Sequence, residues 1–170
     1  MYYDFKHKNI LLIGSASSVF DRERDIDSKY DVIVRLNRGV PTGKEKFIGS
    51  RTDVLFLSCN ITEEMLREFN SDCVILASPK RWDADKNNFP ITYWSTLFYL
   101  LNARPSTGIM AFYFLIHMHI KSLGFIGFDF MNTPSWYTNV SRVGPHNYDA
   151  ECAYFNFMIK ETNGKIYRAI

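Results

Sequence analysis

Three short patches of this chain carry residue types and spacings that could do chemistry. The first is Arg104-Pro105-Ser106-Thr107-Gly108, followed by an apolar run from Ile109 to Ile120. Pro105 biases Arg104 away from helix, Ser106 or Thr107 can cap a helix N-terminus, and Gly108 lets a ligand approach the backbone. A helix opened in this way turns free N–H groups and the positive end of its dipole toward an anion. A phosphate or carboxylate could therefore sit there without a lysine or a metal. The second patch is Gly127-Phe128-Asp129, which ends an apolar strand begun at Leu123 and puts an acidic side chain at a carboxyl edge. Ligands of open α/β sheets bind outside that edge. The third is His146-Asn147-Tyr148-Asp149-Ala150-Glu151, a histidine at the opening of a helix with a glutamate one turn further on. The helix dipole disfavours imidazolium at such a place, so the ring stays neutral and can take a proton near pH 7.

Other elements must position these patches. Lys8 to Gly14 reads as a central parallel strand buried on both faces, joined to a small-residue turn from Ser15 to Phe20. With one glycine, this join is a generic phosphate seat and not the dinucleotide fingerprint. Tyr30 to Asn37 is a second strand, whose period of two puts Ile33, Arg35 and Asn37 on one face and Val32, Val34 and Leu36 on the other. Arg35 and Asn37 are thus expected at a carboxyl end, either gripping ligand atoms or tying down the next loop. Further strands are expected over Thr52–Leu57 and Cys73–Ala77, with a capping box of Asn60 and Glu63 opening the helix between them. Residues 78–90 read as a surface loop, Tyr93–Leu101 as a helix, and 131–145 as a long connection of the lid type. The last helix uses Ala150, Tyr154, Phe157 and Met158 for its core face; Asn163-Gly164 stops it, and Ile166–Ile170 adds a final strand. This alternation predicts one α/β domain over residues 1–170. It is a doubly wound, mostly parallel Rossmann-like sheet with helices on both faces.

Composition narrows the function classes. A chain of 170 residues with 46% hydrophobic content can bury one substantial core. A net charge of +2 from scattered Lys and Arg leaves no nucleic-acid footprint. The run from Ile109 to Ile120 is too short for a membrane span, and no signal peptide is visible at the polar N-terminus, so a cytoplasmic location is expected. Cys59, Cys73 and Cys152 are an odd set without metal spacing and read as reduced thiols. His7, His117, His119 and His146 show no zinc pattern, so no metal and no cofactor is expected. Asp25-Ile26-Asp27 leaves one alternative open, a pair of carboxylates holding a divalent cation against a diphosphate, as metal-dependent glycosyltransferases do.

Taken together and in order, the patches resemble the motifs of sialyltransferases. Ile10 to Ser17, Asp25-Ile-Asp27, Asp31 to Asn37 and Gly49 to Asp53 resemble the long motif. Pro105-Ser-Thr-Gly108 with Gly127-Phe-Asp129 resembles the small one, and His146 to Glu151 the very small one. The resemblance covers about residues 9–155 and implies a sialyltransferase-type glycosyltransferase fold. It implies transfer of sialic acid, or a related keto-acid sugar, from a CMP-sugar donor to a glycan acceptor, with inversion and without metal. Residue by residue, it implies Gly14 and Ser15 at the nucleotide and Asn37 at the nucleotide or sugar. It places Ser106, Thr107 and Gly108 at the donor's carboxylate or phosphate, Gly127, Phe128 and Asp129 around cytidine, and His146 as the base. Tyr137 is a looser match to an aromatic motif facing the leaving phosphate, and Glu151 is expected to orient the helix start or contact the loop. The family usually has Asn where this chain has Ser15, and the cysteines that link its long and small motifs in secretory members correspond to Ile10 and Ile120. The rival expectations are a non-catalytic nucleotide- or glycan-binding relative, and another Rossmann-like enzyme using a dinucleotide or a metal-bound nucleoside-diphosphate sugar.

Overall fold

The computed structural model of the chain describes residues 3–139 and 144–161 and the backbone of Ile166–Arg168. Its strands are β1 (Asn9–Ile13), β2 (Val32–Leu36), β3 (Val54–Leu57), β4 (Cys73–Leu76), β5 (Asn87–Asn88), β6 (Ser122–Ile126) and β7 (Ile166–Arg168). They form one sheet in the order β5-β4-β3-β2-β1-β6-β7, and every neighbouring pair is parallel. The chain leaves β1 toward β2 on one side and returns to β6 on the other, so the topological switch point lies between the carboxyl ends of β1 and β6. The doubly wound parallel sheet expected from sequence is present.

Alternation along the strands sends side chains into two cores. Ile10, Leu12, Val32, Val34, Leu123 and Phe125 face one side, where α3 (Ile91–Leu101), α4 (Thr107–Ile116) and α5 (Tyr148–Glu161) cover them. Leu11, Ile13, Ile33 and Ile126 face the other. That second face is closed by a short 3-10 turn at Ser17–Phe20, the single-turn α1 (Glu45–Ile48) and connecting loops. α4 is apolar on nearly every side, as read from sequence. Ile109, Met110, Ala111, Phe112, Phe114 and Leu115 are all buried, and Phe114 meets Phe5, Phe56, Phe89 and Tyr93 ring to ring. The helix ends at Ile116 and not at Ile120, because the His117 and Met118 N–H groups bond back three residues, to Phe114 and Leu115, in a 3-10 tightening.

Several boundaries differ from the sequence expectations for physical reasons. α2 (Glu63–Phe69) is capped by Thr62, whose hydroxyl accepts from the Met65 N–H at 3.1 Å, and not by Asn60. The segment 78–90 is more structured than a plain loop. It carries a 3-10 turn at Pro79–Arg81 and the edge strand β5, which pairs with β4. α3 starts at Ile91, two residues early, directly after Pro90. The proposed stop at Asn163-Gly164 and the last two residues of the expected final strand lie outside the described residues. Among the described residues, no helix is long and apolar enough to cross a membrane.

Candidate active site

A cleft of about 290 Å³ opens at the switch point, and every residue to which the sialyltransferase resemblance assigns a site role lines it, whereas Arg35, Asp25 and Asp27 do not. Two glycines make its floor possible. A Cβ on Gly14 would sit 2.2 Å from the Gly127 carbonyl oxygen, and Gly127 itself has φ +70° with Val19 packed against it. The chain can therefore stay paired side by side just past the carboxyl ends of β1 and β6, with Gly14 N–H bonded to Ile126 O at 2.8 Å and Ala16 N–H to Gly127 O at 3.0 Å. Phe128 forms one wall, stacked on Phe155 of α5 with ring centroids 5.6 Å apart, and its edge limits the space beside Gly108. Asp129 turns its carboxylate into the following loop, accepting from the N–H and hydroxyl of Thr133 at 2.8 and 2.6 Å.

Asn37 is brought to the cleft by a break in strand alternation. Its φ of +50°, a left-handed conformation that asparagine tolerates, turns the side chain away from the face Arg35 occupies. The Asn37 amide donates to Thr107 Oγ1 at 3.1 Å and its oxygen accepts from the N–H and hydroxyl of Ser58 at 2.9 and 3.1 Å. Ser58 Oγ also touches Thr107 Oγ1. Ends of β2, β3 and α4 are thus tied together by one polar knot. Sequence reading missed Ser58; the signal available was a serine directly beyond a buried strand, where a carboxyl-edge ligand would sit.

Arg35, by contrast, grips no ligand. It is 1% exposed, and its guanidinium donates to the carbonyls of Ile48, Gly49 and Arg51 and to Thr52 Oγ1. Burial pushes it down to about 10, with Asp27 and Asp53 working against that shift. It ties down the next loop, the second of the two expectations. Asp27 belongs to the same scaffold, accepting from the N–H and hydroxyl of Ser50 and from the Arg51 N–H, and neither it nor Asp25 lines the cleft.

The start of α4 is more committed than its sequence suggests. Ser106 caps the helix by accepting from the Ile109 N–H. Its own N–H and hydroxyl both donate to Glu151, at 2.8 and 2.6 Å. Glu151 is 2% exposed, and burial pushes its carboxyl up to about 7, although the two Ser106 bonds act downward. The donors left for an anion are therefore the N–H groups of Thr107 and Gly108, which have no acceptor inside the helix. Beside them, the His146 ring places Nδ1 2.7 Å from the Arg104 carbonyl. Nδ1–H donates there, which leaves Nε2 as the acceptor of a proton. Burial lowers its pKa below the usual histidine value, and the Arg104 charge adds to that while the Arg104 carbonyl opposes it. Asn147 then accepts from the Ala150 N–H at the opening of α5.

The far wall comes from the connection after Asp129. Ser135 pairs with Ala16 in an isolated bridge, and the Trp136 N–H donates to Ser15 O at 2.9 Å, so this stretch is pinned over the first loop. Tyr137 is held between Ser135, Ser15 and Asn37, and burial pushes its hydroxyl pKa up, so it remains a donor. Residues 140–143, in the middle of the expected lid, lie outside the described residues.

Sheet order, switch-point cleft and surrounding helices define an α/β fold of the sialyltransferase type. Among solved structures, a mammalian sialyltransferase is similar over 95% of this chain and 68% of its own, with a TM-score of 0.65 at 16% identity. The sialyltransferase CstII from Campylobacter jejuni, in complex with cytidine-5'-monophosphate, is similar over 96% and 80%, with a TM-score of 0.65 at 14% identity. CstII in complex with a trisaccharide acceptor and CMP gives 95% and 80%, with a TM-score of 0.62 at 14% identity. No family model matches the chain, and no curated protein matches it in sequence. At these identities the likeness establishes the shared fold.

Proposed function

We propose that this chain transfers sialic acid, or a related keto-acid sugar, from a CMP donor to a hydroxyl of a glycan acceptor. The observation that carries this reading is convergence: patches around Gly14, Asn37, Thr107, Gly127 and His146 line one cleft, in a fold shared with CMP-binding sialyltransferases. Breaking the bond between sugar and phosphate releases CMP with the bonding electrons and leaves positive charge on the sugar. The acceptor oxygen forms the new bond from the opposite face, with inversion, and its proton passes to His146 Nε2. Thr107 and Gly108 N–H groups and the Tyr137 hydroxyl stabilise the departing phosphate, so neither metal nor cofactor enters the step. Glu151 holds Ser106 and through it the helix start.

The choice of ligand can be tested by thermal shift with CMP, UDP plus manganese, and NAD, since a ligand that binds only the folded state raises its melting temperature. Stabilisation by CMP in the presence of a chelator is expected. Stabilisation by UDP only with manganese, or by NAD, would overturn the reading. One observation favours a non-catalytic CMP-binding relative: Ser15, in place of the family's asparagine, turns its hydroxyl to groups of the protein itself, Tyr137 and, at 3.9 Å, the Met131 sulfur. A transfer assay with CMP-sialic acid separates the two, because a binding domain would shift in melting temperature without turning over.

A further inference from the structure

Outside the cleft lining, a rim beyond His146 is made by the residues that adjoin Asn37, Ser58 and Ser106, and its arginines pair with no acid among the described residues. The Arg104 side chain donates to Ser78 Oγ at 3.0 Å, and Ser78 O accepts from the Arg81 N–H at 2.8 Å. The Arg81 guanidinium donates in turn to the Asn60 side-chain oxygen. Asn60 also offers its backbone carbonyl to Arg38, at 3.1 and 3.3 Å. Arg38 is followed by Gly39, which packs against Trp136 and Tyr137. A continuous chain of contacts thus runs from the proton-accepting histidine to the tyrosine wall, past the carboxyl ends of β3 and β4.

These contacts use neutral oxygens throughout. Among the described residues, no carboxylate lies within ion-pair distance of Arg38, Arg81 or Arg104, whereas Arg51, elsewhere in the chain, is paired with Asp53 at 3.0 Å. The nearby buried Glu151 takes its downward influences from Ser106 alone, so Arg104 is not spent on it. Arg81 Nε is buried and has no partner among the described residues. Between the loops, Cys59 feels both Arg38 and Arg81, which places their charges together. The Arg38 and Arg81 charges, both held on the neutral oxygens of Asn60, repel one another, and an anion set between them would relieve that repulsion.

We infer that this rim is a subsite for an acidic substituent, carboxylate or sulfate, on the acceptor glycan. The inference rests on the reading of the cleft as a CMP-sugar transferase site. There the acceptor hydroxyl must reach His146 Nε2, and the rest of the acceptor must lie along the adjoining rim. Arg38 and Arg81 supply planar forks for the acid, and Arg104 adds its charge beside the base.

The test measures binding of lactose, lactose carrying a terminal sialic acid, and lactose carrying a sulfate to the full chain, with and without CMP. At least one charged sugar should bind about tenfold or more tightly than lactose, and which of the two does so identifies the group. That advantage should shrink with added salt while lactose binding does not. Arg38→Gln with Arg81→Gln should bring the charged sugars to the level of lactose and leave CMP affinity unchanged, with melting curves to verify folding. Equal binding of all three sugars to the wild type, or an advantage that survives in the double variant, would overturn the subsite. Loss of CMP binding with the charge preference intact would instead sink the donor reading and leave the rim standing.

Discussion

His146 separates an enzyme from a binding domain. With Nδ1 committed to the Arg104 carbonyl, Nε2 is free to act, so His146→Ala should lower transfer by about 10²–10⁴-fold while CMP still binds. The wild-type rate should also fall in acid, below an apparent pKa under the usual value of about 6.5, because burial favours the neutral ring. Transfer at the wild-type rate by the alanine variant would reduce His146 to a structural residue. Glu151 makes a separate, thermodynamic prediction. Its folded-state value of about 7 lies above the ordinary 4.5, so the folded chain keeps a proton that the unfolded chain releases between those values. Its contribution to stability is therefore fully present below pH 4.5 and is lost as pH rises toward 7. The loss should be about 2–4 kcal/mol. Glu151→Gln should flatten that slope in urea midpoints measured from pH 5 to 8, and an unchanged slope would assign the titration to another group. The chemistry of His146 was legible in its position before a helix, but the burial of Glu151 was not. Its partner Ser106 lies 45 residues away.

Elements meet in this site through two devices. One is the close approach of β1 and β6, which depends on the missing side chain at Gly14. Gly14→Ala puts a Cβ against backbone that cannot rotate away, and should destabilise the fold by about 1–3 kcal/mol or more, read as a lower melting temperature. The other is the knot of Asn37, Ser58 and Thr107 across β2, β3 and α4. Ser58→Ala removes one hydroxyl and should weaken CMP binding by about 0.5–1.5 kcal/mol, whereas Asn37→Ala leaves several groups unpaired and should cost about 1–3 kcal/mol. Calorimetric titration with CMP checks both, and unchanged affinity in both variants would move the donor elsewhere. The strands and their faces were readable because a period of two is a local property. Asn37 escaped that reading, since its left-handed backbone ends the alternation and places it apart from Arg35.

At the scale of the molecule, scaffold charges and cleft chemistry are kept apart. Asp27, Arg35, Arg51 and Asp53 brace the loops beside the second core, while the cleft presents N–H groups, hydroxyls and one imidazole, its two carboxyl groups, Asp129 and Glu151, being engaged by Thr133 and Ser106. Asp27→Ala should therefore lower the melting temperature yet leave CMP binding intact in a chelator, and a variant that lost manganese-dependent binding would restore the metal alternative. The sequence by itself determined the alternating α/β order, the all-round apolar α4 and the three patches that carry chemistry. Each of these follows from residues adjacent along the chain. Only the tertiary structure decided which donors remain for a ligand. Glu151 takes both hydrogens of Ser106, Asn37 reaches Thr107 across 70 residues, and Asn60 leaves the helix cap to Thr62 and gathers two arginines instead. Hydrogen-bond partners far apart in sequence are chosen by the sheet order that brings their strand ends to one edge, and no local pattern records that choice.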